Sequence, residues 1–312
     1  MCSPLRTVSS PMGRDHKRPS PDRLPPVLPK TLYTEDEDNM TKNDELFSPT
    51  LKFKDDEDTK KECVLKVQDQ KEEQPQQQKQ QEEEVQHDNE EKEELLDEFN
   101  PFFFIKSLPP YKDVINNRVV PILLPKRTRR SHPVTLVLDL DETLVHCSID
   151  PIEDADLQFE VNFGGLMYHV YVRKRPHLQK FLEVVSKQFE VIVFTASQQV
   201  YAEKLLNLID PTRKLIKHRL YRDSCLEVCD NFLKDLNVLG RDLSKTIIVD
   251  NSPHAFGYQI SNGIPIESWF EDKKDVELLN LLPVLDVLKG KDDVRQFIRE
   301  YYQLHKLVEG AG

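Results

Sequence analysis

Three observations predict an α/β fold built on a Rossmann-like, mainly parallel sheet. From His132 onward, short continuously apolar runs alternate with helical stretches, the pattern of strands crossing over through helices. Three of the runs, Val134–Leu138, Phe189–Phe194 and Thr246–Val249, are uninterrupted by polar residues other than Thr135, Glu190 and Thr246, as expected of strands buried on both faces. Each run ends in polar residues: Asp139, Thr195 and Asp250 with Asn251.

The elements follow in order. Residues 1–98 read as a disordered, solvated arm: Pro25-Pro26 and Ser48-Pro49 precede a stretch from Lys71 to Glu98 with twelve acidic residues against three lysines, set among Gln and Glu runs. Residues 99–131 hold Phe99, Phe102, Phe103 and Phe104, too apolar to stay solvated, so this segment should dock on the domain that follows or on a partner. It ends in the basic cluster Lys126-Arg127-Thr128-Arg129-Arg130, read as a nuclear import signal, a nucleic-acid patch or a solvated linker. Residues 132–307 form the expected catalytic domain. There Val134–Leu138 is the first strand, and Pro176 opens a helix running to about Lys187. Phe189–Phe194 is the second strand, a helix covers about Gln198–Leu208 and stops before Pro211, and Thr246–Val249 is the third strand.

Composition bounds the class. The 312 residues carry a net charge of −12, which disfavours a general affinity for phosphate backbones and predicts no direct nucleic-acid binding. No apolar run approaches the roughly 18 residues of a spanning helix, and the N-terminus lacks a charged start followed by an apolar stretch, so neither secretion nor a membrane span is expected. The five cysteines, Cys2, Cys63, Cys147, Cys225 and Cys229, are then expected as reduced thiols.

The chemistry should sit where the strands end. Asp139 and Asp141 alternate on a strand and so share one side at the carboxyl edge of the sheet, where ligands bind in open α/β folds. A lone Asp-x-Asp is ordinarily a capping turn, a lone Thr a helix cap, a lone Asp-Asn a turn and a lone Lys234 a solvated lysine. The convergence of Asp139, Asp141, Thr195 and Asp250 with Asn251 at one edge argues for a site, to which Lys234 could add the cation it lacks. Two close carboxylates require a cation between them or a shared proton, and hard oxygen donors point to Mg²⁺.

These residues resemble the haloacid dehalogenase superfamily, whose first motif is Asp-x-Asp-x-Thr. Asp139-Leu140-Asp141-Glu142-Thr143, Phe194-Thr195-Ala196-Ser197, Lys234-Asp235-Leu236 and Asp250-Asn251-Ser252-Pro253 are more narrowly similar to the small phosphatases of the RNA polymerase II C-terminal domain. The resemblance runs from about His132 to His305 and includes Gly240-Arg241-Asp242-Leu243. Phe99–Pro110 and Asn262–Phe270 place the chain nearest the small phosphatase-like branch.

The resemblance implies a sheet of the haloacid dehalogenase type with a small antiparallel β insertion and no large cap, since neither Cys147–Val172 nor the 38 residues between Thr195 and Lys234 has room for one. It implies a Mg²⁺-dependent protein serine/threonine phosphatase, nuclear and also cytoplasmic, acting through an aspartyl-phosphate on a phosphoserine or phosphothreonine of a protein. Asp139 would be the nucleophile and Asp141 the general acid, then base. Thr195 would bind phosphoryl oxygens beside Lys234, which Asp250 steadies. Asp139, the Asp141 carbonyl and Asn251 would hold the metal. Arg222 and an apolar pocket of Val161, Phe163, Val170 and Tyr201 would bind substrate, although ordinary ribbon packing explains Val161 and Val170 equally well. Ile149 and Gln198 stand where the polymerase-tail enzymes have an aromatic residue and a leucine. The alternative is a binding module that keeps the fold with weak catalysis; the oligomeric state stays open.

Overall fold

The computed structural model describes residues 46–48, 100–116 and 120–311. The rest of the expected arm, 1–98, falls outside these residues.

The docking segment forms α1 (Pro101–Ser107), with Pro101 in its first turn and Asn100 as cap, accepting from the Phe102 and Phe103 amides at 2.9 and 3.3 Å. A single turn, α2 (Tyr111–Val114), follows. The segment packs on the domain: Phe104 and Ile105 are buried, Phe104 against Val228 and Leu233. Lys106 Nζ donates to the Ala311 carbonyl at 2.5 Å. In the basic cluster, Arg127 folds back onto the Pro133 and His132 carbonyls and pairs with Glu190 at 3.3 Å.

The domain proper then runs β1 (Thr135–Leu138), β2 (Val145–Ser148), β3 (Leu157–Phe163), β4 (Leu166–Lys174), α3 (Leu178–Val185) and β5 (Glu190–Phe194). It continues through α4 (Gln199–Ile209), β6 (His218–Leu220), β7 (Leu226–Val228), β8 (Asn231–Leu233), β9 (Thr246–Asp250) and β10 (Gly263–Pro265). Helices α5 (Glu277–Leu288), α6 (Val294–Tyr302) and α7 (Leu304–Gly310) complete it.

The central sheet has the order β10-β9-β1-β5-β6, and every pairing in it is parallel. Strands β1, β5 and β9 are buried at every position, which explains their continuous apolar runs. The helices present stripes to the same core, Leu178, Phe181, Leu182 and Val185 from α3 and Tyr201, Ala202, Leu205, Leu206 and Ile209 from α4. The chain leaves β1 toward β5 on one side and returns to β9 on the other, so the crevice at the carboxyl end of β1 is the topological switch point.

The insertion after β1 is a three-stranded antiparallel sheet, β2-β4-β3, rather than a bare ribbon. Its alternating burial is that of a sheet with one face in water. Gly164 and Gly165, at φ 60° and 82°, make the two-residue turn between β3 and β4, a left-handed pair that side chains disfavour. A second, two-stranded ribbon of β7 and β8 occupies the other short insertion.

Two expectations need correction. The helix expected from Pro176 starts at Leu178, because Pro176 lies in a turn closed by the Leu178 amide on the Arg175 carbonyl and His177 is left-handed at φ 67°. Of the described cysteines, Cys147 and Cys225 are free thiols, but Cys229 is disulfide-bonded.

Candidate active site

Register places the site. Leu138 lies opposite Val193 of β5 and Val249 of β9, so Asp139, Phe194 and Asp250 reach the sheet edge at one level and Thr195 follows one residue on. The Asp139 amide continues the ladder to the Val249 carbonyl at 3.0 Å, so the pairing of β1 with β9 runs up to the first aspartate.

Beyond Asp139 the chain turns sharply. Glu142 is left-handed, at φ 55°, with its amide on the Val145 carbonyl at 2.7 Å and its own carbonyl accepting from Trp269 at 2.8 Å. Beneath this turn lies Arg175, 2 % exposed. Its guanidinium grips Asp275 twice at 2.8 Å and donates to the Thr143 and Glu267 carbonyls at 3.1 and 3.0 Å. The loop of the two aspartates is thereby tied to the segment carrying Trp269.

The two carboxylates occupy different surroundings. Lys234 Nζ bridges Asp139 Oδ1 at 2.5 Å and Asp250 Oδ2 at 2.6 Å, all three side chains buried. Burial alone would lower the ammonium's pKa, but the two carboxylates outweigh it and raise it, so Lys234 is charged. Burial raises Asp250 above the usual carboxylate range, opposed by Lys234 and by the Ser252 amide, which donates at 2.8 Å.

Asp141 sits instead among hydroxyls. Tyr201 donates to its Oδ1 at 2.6 Å, while Ser197 and Thr195 reach Oδ2 at 2.6 and 3.2 Å. Burial pushes its pKa up, the Asp139 charge adds to that, and the hydroxyl contacts only partly offset it. Tyr201, also raised by burial and by Asp141, stays a phenol and so remains a donor. The Ser197 amide donates to Thr195 Oγ1 at 3.0 Å, which fixes that hydroxyl.

On the other flank, Asn251 accepts from Thr143 at 3.3 Å and donates to Ser268 at 3.0 Å, which holds its amide. Among the described residues no group of three His, Cys, Asp or Glu side chains could hold a metal. The donors that could are one carboxylate, Asp139, with the Asn251 amide oxygen and the Asp141 carbonyl. All are hard oxygens, few enough for an ion that keeps several waters, which fits Mg²⁺.

The structure thus brings Asp139, Asp141, Thr195, Lys234, Asp250 and Asn251 together. Tyr201 stands among them, in contact with Asp141. Val161 and Val170 are fully buried in the core, and Phe163 packs half-buried at the end of β3. The insertion reaches Tyr201 through Phe159, whose ring stacks on it at 6.3 Å. Arg222 donates to the Ala196 carbonyl at 2.6 Å and to the Phe47 carbonyl, with its guanidinium 5.1 Å from the Phe232 ring. Sequence reasoning did not find Ser197, Phe159 or Ser48. Ser197 follows Thr195 by two and could have been read as sharing its side; Ser48, whose Oγ lies 3.3 Å from Asp141, was marked only as part of a Ser-Pro pair in the arm.

Fold and site together define a phosphatase-type α/β domain. Residues 134–295 match the family model of the NLI interacting factor-like phosphatases, and the chain belongs to that family. It is 54% identical over 220 residues to the CTD small phosphatase-like protein 2 of Dictyostelium discoideum, across 69% of this chain and 37% of that protein. Identity to the CTD small phosphatase-like protein 3 of Caenorhabditis elegans is 49% over 209 residues, 66% of this chain and 72% of the relative. For the human CTD small phosphatase-like protein the figures are 45% over 172 residues, 55% and 60%. The chain therefore spans little more than a third of the first relative's length. A solved structure of Fcp1, an essential RNA polymerase II CTD phosphatase, overlays with a TM-score of 0.40 at 23% identity, over 57% of this chain and 54% of that one, too loosely to add to the sheet order.

Proposed function

We propose that this chain is a Mg²⁺-dependent protein serine/threonine phosphatase that works through an aspartyl-phosphate on Asp139. Its substrates are phosphoserine or phosphothreonine in protein segments, of the polymerase C-terminal-domain kind that relatives' names record or on other nuclear proteins. The observation that carries the reading is the contrast between the carboxylates: Asp139 lies against an ammonium at 2.5 Å, and Asp141 lies among hydroxyls with its pKa raised. Two carboxylates in such different surroundings, one against an ammonium and one among hydroxyls, divide the labour of nucleophile and acid.

Asp139 attacks phosphorus while Asp141 delivers its proton to the departing seryl or threonyl oxygen. Asp141, now ionised, takes a proton from the water that hydrolyses the aspartyl-phosphate and so returns to its starting state. Lys234 holds Asp139 in line and faces the charge building on the phosphoryl oxygens, for which Thr195 is a further donor. Asp250 keeps Lys234 in place. Mg²⁺ held by Asp139, Asn251 and the Asp141 carbonyl would offset the repulsion between carboxylate and phosphate. The insertions, a three-stranded sheet and a two-stranded ribbon, are too small for a large cap, which suits a phosphate carried on a polypeptide.

The test is phosphate release from a phosphoserine peptide with Mg²⁺, with EDTA, and with Asp139→Asn. Release that depends on the metal and vanishes in the variant is expected. Undiminished release with EDTA or from Asp139→Asn would overturn the mechanism.

A further inference from the structure

A tripeptide of the arm lies in the cleft. Leu46 and Phe47 are buried, 0% and 7% exposed, and Ser48 is half-buried. Three groups grip it. The Gln198 amide donates to the Leu46 carbonyl at 3.1 Å, and Arg222 donates to the Phe47 carbonyl. The Ser48 hydroxyl lies 3.3 Å from Asp141 Oδ2, 3.4 Å from Thr195 Oγ1 and 3.3 Å from Ser197 Oγ. The Phe47 ring meets the Tyr201 ring edge-on at 4.7 Å, and Tyr201 is backed by Phe159.

A serine hydroxyl beside the group assigned as the general acid is where the leaving oxygen of a phosphoserine stands once it has taken its proton. The peptide carbonyls are held by donors indifferent to side-chain identity, whereas the aromatic pair Tyr201–Phe159 receives the side chain just before that serine.

We propose that Leu46–Phe47–Ser48 occupies the cleft as an internal product, so that the site takes phosphoserine preceded by an aromatic residue, phosphorylated Ser48 of this chain included, and the unphosphorylated segment competes with peptides in trans. This rests on the phosphatase reading above. In the reaction at Ser48 the Asp139–phosphorus bond forms as the phosphorus–Oγ bond breaks, and Asp141 gives its proton to Oγ. Water then attacks phosphorus, Asp141 regains a proton, Asp139 is released, and the products are the serine hydroxyl and inorganic phosphate. Because the segment belongs to the same chain, its binding is intramolecular, so it can compete even if it binds weakly.

The experiment uses the full chain and a double variant, Leu46→Ala with Phe47→Ala. The substrates are the phosphopeptide of residues 43–52 phosphorylated at Ser48 and the same peptide with Ala in place of the phenylalanine. The native phosphopeptide should be turned over at least about tenfold more efficiently, the scale of one well-placed aromatic contact. The double variant should show a several-fold lower apparent KM for it. Equal turnover of the two peptides, or an apparent KM unchanged in the variant, would overturn the proposal. Hydrogen exchange at the Gln198 amide separates this from a failure of the phosphatase reading. If no phosphate is released from any peptide, faster exchange in the double variant still supports occupancy of the cleft, and unchanged exchange refutes it.

Discussion

Tyr111 donates a 2.6 Å hydrogen bond to Asp235, the residue next to Lys234. The docking segment thus reaches the bridging lysine through one intervening backbone unit. Asp235 is also held by Gln259 at 3.0 Å and caps the following turn through the Asn237 amide at 3.0 Å. Burial and the Asp235 bond raise the Tyr111 pKa, so the phenol stays a donor across the physiological range.

Tyr111→Phe removes a bond to a carboxylate while leaving the ring's contact with Tyr258, centroids 5.2 Å apart. The expected loss is about 1.5–3 kcal/mol, the range for hydrogen bonds to charged groups. Thermal unfolding checks it, and an unchanged Tm would show that water replaces the phenol.

Tyr201→Phe deletes a donor that lowers the Asp141 pKa. Asp141 should then keep its proton to higher pH. As general acid it is active when protonated, so the basic limb of the kcat/KM profile should move up. As base in the second step it must be ionised, so kcat at neutral pH should fall. A profile whose basic limb stays in place or moves down would separate this limb from Asp141.

Lys234→Met should be costly twice over. Asp139 and Asp250 are left buried without their counter-ion, for which the loss is about 3–5 kcal/mol. Removing the cation should also cut phosphate release by about 100- to 1000-fold, as for other donors preorganised for transition-state charge. Both follow from one sample, by calorimetry and by phosphate assay.

Glu190 sets an acid limit. Burial raises its pKa, but bonds from His218 and Arg241 and the Arg241 charge outweigh it, so the carboxyl lies well below its ordinary value of 4.5. A carboxyl depressed on folding stabilises the native state above its unfolded pKa and loses that contribution as pH falls. The wild-type Tm should therefore drop steeply below about pH 4.5, and Glu190→Gln should be less stable at neutral pH but less sensitive to acid. Parallel Tm curves for the two proteins would exclude Glu190 as the group responsible.

The sheet was legible because β1, β5 and β9 are buried on both faces and so carry unbroken apolar runs, and because their register brings their ends level. Asp139, Thr195 and Asp250 could be read from that alone. Lys234 could be offered only as the cation such a site lacks, since it follows the short strand β8, and the family resemblance alone gave it a role. The Tyr201–Asp141 bond depends on where a helix start meets a strand end, a distance that spacing does not encode. Leu46–Ser48 was hidden for a different reason: its surroundings are largely polar and charged, and its apolar pair finds burial only on a surface formed far along the chain. The Pro176 start failed because a local rule for proline gave way to a left-handed His177.

The left-handed backbone at Glu142 sets stability against accuracy. A non-glycine residue there costs about 1–2 kcal/mol. Glycine at 142 would relieve that strain, yet it would loosen the turn that holds Asp139 and Asp141 where the proposed mechanism needs them. At this position a tougher protein and a better-aimed nucleophile are competing outcomes of a single substitution.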